Sequence, residues 1–192
     1  MLTFKGGVHP PEGKELSEEK AIVRLDVPSQ VIIPLSQHIG APSKVTVAVG
    51  DAVKTGQKIG EAAGAFSASV HSSVTGKVIA IGKYPHPVLG TGDAVVIERT
   101  ADDEWFEYPK YPDYSGLSKE VLLGIVAEMG IVGMGGATFP THINLNPPEW
   151  KKAEYLIINA AECEPYLTCD DRLMREQGEG MLEGLKIMMK IS

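Results

Sequence analysis

Positive charge is scarce in this sequence. Eighteen Lys and Arg face 25 Asp and Glu, giving a formal net charge of −7 over 192 residues. A phosphate backbone needs a basic footprint to bind, so nucleic acid is not an expected partner. Cysteine is nearly absent too. Cys163 and Cys169 are the only two, too few for a disulfide framework and not spaced as C-x-x-C, which points to a reducing compartment. Six residues apart and without partners, they read as small semi-buried residues rather than metal ligands. Long apolar runs are missing. Val31-Ile32-Ile33 and Tyr155-Leu156-Ile157-Ile158 fall far short of the ~20 residues that span a bilayer. Residues 1–7 hold no apolar h-region, so neither direct membrane insertion nor a secretory signal is expected. His9 has no second histidine at metal spacing and reads as a turn residue; no metal site is expected.

Glycine and proline are plentiful, at 21 and 13, and favour β-structure and turns over helix bundles. The length suits one large or two small domains, and two is the expectation. Residues 1–28 read as an N-terminal arm with a charged, solvated patch at 14–20. Residues 29–100 form a run of short apolar strands, among them 31–35, 45–49, 78–81 and 95–97, separated by turn signals, as in a small all-β domain. Gly50-Asp51-Ala52-Val53 recurs as Gly92-Asp93-Ala94-Val95, a hint of two similar halves. Residues 101–117 form a linker in which Trp105, Phe106, Tyr108, Tyr111 and Tyr114 are interleaved with Pro109 and Pro112; such aromatics bind a partner or, more often, pin an extended segment to the domain beside it. Residues 118–192 begin a second domain. Ser118 caps a helix that buries Val121, Leu122, Ile125, Val126 and Met129 and ends at Gly130. A further helix starts at Asp170-Asp171-Arg172 and is interrupted by Gly178 and Gly180.

The stretch 130–172 carries the chemistry. Gly130, Gly133, Gly135 and Gly136 fall within seven residues, and a loop so free of side chains lets backbone N–H groups approach a phosphate or a flat ring. The apolar run 155–158 reads as a strand whose carboxyl end carries Asn159, Glu162 and Glu164, where ligands of open α/β sheets sit. On its own, Gly133-Met134-Gly135-Gly136-Ala137-Thr138 also fits an ordinary structural turn, since it lacks the last glycine of G-x-G-x-x-G.

Two resemblances sharpen this reading. Residues 47–59 and 72–78 resemble the biotinyl/lipoyl barrel-sandwich hybrid. The tip that carries the modified lysine in those carriers reads Gly64-Ala65-Phe66-Ser67-Ala68-Ser69 here, so neither biotin nor lipoate is expected. Residues 4–10, Ile33-Pro34-Leu35-Ser36-Gln37-His38-Ile39-Gly40-Ala41-Pro42, 130–145 and 156–174 together resemble the C subunit of the Rnf ion-translocating ferredoxin:NAD oxidoreductase. The flavin-site part is similar to the NADH- and FMN-binding subunit of respiratory complex I.

The resemblance implies an α+β chain of two domains, an all-β barrel-sandwich hybrid followed by the start of a Rossmann-like α/β FMN/NADH-binding domain, incomplete at its C-terminus. It implies FMN contacts at Gly133, Gly135, Gly136 and Ala137, adenine stacking on Phe139, a flavin hydrogen bond from Asn159, and Glu162 and Glu164 bordering flavin and nicotinamide. The implied cofactors are FMN and NAD(H). The family's two 4Fe-4S clusters have no ligands in this chain. The implied partners are other Rnf-type membrane subunits, with ferredoxin met indirectly, on the cytoplasmic face of the membrane. Asn144 stands where complex I has a lysine and Ala161 where it has an aspartate. The alternatives are a soluble relative of the proline reductase-associated type and a truncated, non-catalytic docking module.

Overall fold

The computed structural model describes residues 10–100, 102–135, 137–151, 154–162 and 164–192. The reading of His9 and the expectations for Gly136 and Cys163 lie outside the described residues. The chain forms two compact units, residues 27–152 with 190–192 and residues 1–26 with 153–189.

In the first of these units the alternation of apolar and polar residues builds two antiparallel sheets. Strands β1 (Gln30–Pro34), β3 (Ala52–Val53), β6 (Gly76–His86) and β7 (Gly90–Arg99) lie in the order β1-β7-β6-β3. Strands β2 (Lys44–Val45), β4 (Lys58–Glu61) and β5 (Val70–His71) form the second sheet, in the order β2-β4-β5. Ile33, Val53, Val78, Val95 and Ile97 from one sheet meet Ile59 and Val70 from the other in a single core. The repeated Gly-Asp-Ala-Val ends on β3 and lies within β7, the two neighbours of β6, but the copies meet different ends of that strand: Ala52 pairs with Lys77 and Ala94 with Gly82. Of the strand expected over residues 45–49 only Lys44–Val45 pairs, and Val49 is exposed.

The aromatic linker is tied to this core. Thr55 N donates to Glu104 O, Phe106 N donates to Thr55 O, and Tyr108 Oη donates to Gly56 O. Beyond it, α1 (Lys119–Glu128) is capped by Ser118, whose hydroxyl accepts from Val121 N. Leu122 and Val126 are buried, whereas Val121, expected on the same face, is exposed. The short helix α2 (Thr141–Asn144) packs against α1.

Helix α3 (Cys169–Ile191), in the other unit up to Met189, runs continuously except for a non-helical Gln177, one residue before the expected break at Gly178. Residues 155–158 do not form the expected strand. A strand needs a lateral hydrogen-bonding partner, and the described residues of this unit offer none. Ile157 is accordingly 86% exposed. The patch at 14–20 is not merely solvated either: Lys14 Nζ donates to Leu167 O at 2.8 Å, and Ser17 Oγ donates to Tyr166 O.

Candidate functional site

The glycine loop starts where α1 stops. Gly130 has φ of +66°, and a Cβ there would lie 2.1 Å from Ser69 O, so both backbone and space demand glycine. From there the chain folds back on itself. Val132 bridges Pro140 antiparallel, Thr141 N donates to Ile131 O at 3.0 Å, Gly133 N to Phe139 O at 2.9 Å, and Thr138 N to Gly135 O at 3.2 Å. The Gly133 amide therefore helps to close the loop. Gly135 differs: a Cβ there would meet nothing within 4 Å, and no internal contact accounts for a glycine. The space beside it is open, as it is beside Gly178 and Gly184. Thr138 is held at φ of +48°, a sparsely populated region for a β-branched residue, with its hydroxyl donating to Ala137 O at 2.7 Å.

The sandwich holds this loop from the side. Ile39 N donates to Ala137 O at 3.2 Å. Phe66 meets Phe139 edge to face, with ring centroids 6.0 Å apart at 82°. Phe66 sits on the turn between β4 and β5, where carrier modules of this shape hold their lysine. Neither Phe66 nor Ile39 was assigned a role by sequence reasoning, although the Gln37-His38-Ile39-Gly40 motif and the lysine-free tip were both visible.

Asn159, Glu162 and Glu164 belong to the other compact unit. Exposed Asn159 closes a local turn, its Oδ1 accepting from Ala161 N at 3.0 Å. The Glu162 side chain is only 9% exposed. Its Oε1 accepts from Asp170 N at 2.8 Å at the start of α3, and Oε2 lies 4.0 Å from Lys14 Nζ. There it complements the positive end of the helix. Lys14 also reaches Glu164 O at 3.4 Å. Cys169 is exposed rather than semi-buried; a hydrogen bond with Glu162 pushes its thiol pKa up, so the thiol stays protonated. The segment is anchored by Tyr166, at φ of +68°, whose amide donates to Glu12 O and whose ring lies over Gly13, where a Cβ would fall 2.2 Å from it. A cleft of about 420 Å³ with mixed charge, lined by Lys14, Glu162, Asp171, Arg172 and Arg175 among others, opens beside Glu162. Asn144 and Ala161, the two departures from complex I, are both exposed.

Residues 2–102 match the family described as the RnfC barrel sandwich hybrid domain. This chain belongs to the RnfC family. Residues 126–192 of the RnfC chain match the Nuo51 FMN-binding domain. Together the two matches establish the expected class, a barrel-sandwich hybrid followed by the start of an FMN-binding domain. The chain is 48% identical over 192 residues to the C subunit of the proton-translocating ferredoxin:NAD(+) oxidoreductase complex of Clostridium ljungdahlii, covering 100% of this chain and 42% of that protein. It is 46% identical to the C subunit of the Na(+)-translocating ferredoxin:NAD(+) oxidoreductase complex of Acetobacterium woodii over 98% of this chain and 43% of that one. Against the C subunit of the ion-translocating oxidoreductase complex of Vibrio cholerae the figures are 38%, 100% and 25%. The chain thus spans less than half the length of these relatives. Among the described residues no helix is long and apolar enough to cross a membrane.

Proposed function

We propose that this chain serves as the N-terminal, flavin-loop portion of an electron-transfer subunit in a membrane-associated, ion-translocating ferredoxin:NAD oxidoreductase, exchanging electrons with NAD(H) through FMN. The carrying observation is the match of residues 126–192 to the Nuo51 FMN-binding domain, whose loop is closed here by its own backbone hydrogen bonds with Gly135 in open space at its exposed end. The donor set fits a flavin nucleotide. Gly135 and Ala137 present backbone at the loop's exposed side, Gly133 and Gly136 belong to the same proposal, and Phe139 offers a ring held in place by Phe66. For Asn159, Glu162 and Glu164, which belong to the other compact unit, the flavin-bordering roles that the family resemblance implies are part of the proposal, with Glu162 oriented by the start of α3. FMN, when bound, supplies the exchange between two-electron and one-electron chemistry. The chain supplies placement, because a preformed loop loses little entropy on binding.

The same reading places residues 29–100 as the sandwich domain, 101–117 as its linker and 118–192 as the flavin-loop portion, following the arm at 1–28. The partners are other Rnf-type membrane subunits, with ferredoxin met indirectly and NAD(H) directly, and the location is peripheral, on the cytoplasmic face.

The test is FMN titration of the purified chain followed by flavin fluorescence, with Gly135→Val beside the native sequence. Saturable quenching that the valine weakens by about tenfold or more supports the site. Absence of uptake by the native chain removes the cofactor assignment and leaves the all-β docking module. Anaerobic bleaching of bound flavin by NADH then tests the dinucleotide.

A further inference from the structure

The sandwich has a cleft of its own at the place where it meets the glycine loop. About 650 Å³ opens between the turn following β1, the end of the β6–β7 hairpin, and Ala137 with Thr138. Ile39, Pro42, Pro87, Val88 and Leu89 make it apolar, and Ser36, Gln37 and Thr138 add hydroxyl and amide groups. Among the described residues that line it, none is Asp, Glu, Lys or Arg, although the chain carries −7 overall. That combination disfavours a phosphate or a charged peptide inside the cleft and suits an uncharged, flat group with hydrogen-bonding edges.

Two histidines hold its shape. His38 Nε2 accepts from Ala68 N at 3.0 Å, so its ring proton lies on Nδ1, 3.1 Å from Ile39 O. His86 is arranged the other way round, with Nδ1 accepting from Val88 N at 3.1 Å and Leu89 N at 3.0 Å while Nε2 donates to Ser36 O at 2.7 Å. Each ring is locked as one tautomer between backbone groups of different segments. His38 ties the turn after β1 to the carrier-type tip, and His86 ties that same turn to the hairpin end. The cleft is thus preformed, and one edge of it is the strained Thr138 of the glycine loop.

We propose that this cleft seats the planar heteroaromatic ring of a nucleotide whose phosphate lies at the glycine loop, so that the sandwich forms a wall of the binding site. The inference rests on the flavin reading above and names what the neighbouring cleft adds to it. An isoalloxazine and an adenine share the required chemistry: flat, uncharged faces with carbonyl or amino edges that Gln37 and Ser36 can read.

The full chain is titrated separately with FMN, riboflavin, NADH and AMP, by flavin fluorescence for the first two and saturation-transfer NMR for the others. Ile39→Glu and Leu89→Glu place a carboxylate in the cleft wall, and Val88→Glu repeats the test at a side chain 84% exposed, where folding is not at stake; circular dichroism checks each variant. The expected result is a loss of affinity of about tenfold or more. Loss for FMN and riboflavin together assigns the cleft to isoalloxazine, and loss for NADH and AMP together assigns it to adenine. Affinities unchanged within about twofold in all three variants, with Gly135→Val still weakening FMN binding about tenfold or more, overturn the cleft and leave the flavin loop standing. No binding of any of the four by the native chain overturns both.

Discussion

Single residues decide how the nucleotide loop is held. Phe66 touches Phe139 through one edge-to-face contact and is otherwise 56% exposed, so its side chain contributes through that pair more than through burial. Such pairs are worth about 0.5–1.5 kcal/mol. Phe66→Ala is therefore expected to lower stability by roughly 1 kcal/mol in urea unfolding and to weaken NADH more than FMN, because Phe139 loses its orientation. Equal weakening of both would show that Phe66 merely supports the loop. The backbone at the same place is less forgiving. Gly40 has φ of +111°, and a Cβ there would lie 2.1 Å from Phe66 O, so Gly40→Ala combines a left-handed backbone with a clash against main chain. It should cost more than about 1 kcal/mol, read as a fall in the urea midpoint. These dependencies are not legible from the residues alone, since Gly40 and Phe66 are far apart in sequence and each looks like an ordinary turn residue.

At the level of elements, the sequence was most transparent where periodicity and end signals agree. Ser118 and Gly130 bracket α1 as expected, and the strands around Val78 and Val95 follow their alternation of buried and exposed residues. Legibility failed at residues 155–158. Four consecutive apolar residues predict a buried strand, but apolarity specifies only that a surface wants covering, not which neighbour covers it. The site followed the same rule. The glycine loop was plain from its residues, whereas its docking on the Gln37-His38-Ile39-Gly40 turn depends on long-range contacts that no local pattern encodes. Helix α3 lies between these cases. Its glycines marked an interruption, and the backbone departs from helical geometry at Gln177, yet the helix resumes at once. A Cβ at Gly184 would meet nothing within 4 Å, so that glycine only raises the entropy lost on ordering. Gly184→Ala is expected to stabilise α3 by about 0.5–1 kcal/mol, while Ser118→Ala in α1 costs about 1 kcal/mol through the lost cap. Thermal unfolding followed by circular dichroism at 222 nm should show opposite shifts; shifts of the same sign would contradict the roles assigned to these two positions.

Over the larger compact unit, one titratable cluster joins sheet, linker and helix. His71 on β5 stacks edge-on with Tyr108 of the linker at 6.2 Å, and Lys58 on β4 pairs with Glu128 at the end of α1 at 2.6 Å. Among the described residues, His71 Nε2 is buried without a hydrogen-bond partner. Burial pushes the His71 pKa down, and Lys58 adds to the effect, outweighing the opposing pull of Glu128 through its charge and backbone. Lys58 itself is held protonated by its hydrogen bond to Glu128, and burial raises the Tyr108 hydroxyl pKa, so neither changes charge near neutrality. The consequence has a definite sign. Below about pH 6.5 an unfolded histidine takes up a proton that the folded ring resists, so the unfolded state binds more protons and stability falls as pH drops. The full contribution is present above that pH and is lost as the pH descends toward the depressed folded value. Urea midpoints measured from about pH 7.5 to 5.5 should decline in the native chain and decline less in His71→Gln, whose side chain cannot titrate. Parallel declines would mean that the acid sensitivity lies elsewhere. Because the cluster joins the β4–β5 sheet to the helix that launches the glycine loop, the same acid range should loosen FMN binding in the native chain more than in His71→Gln.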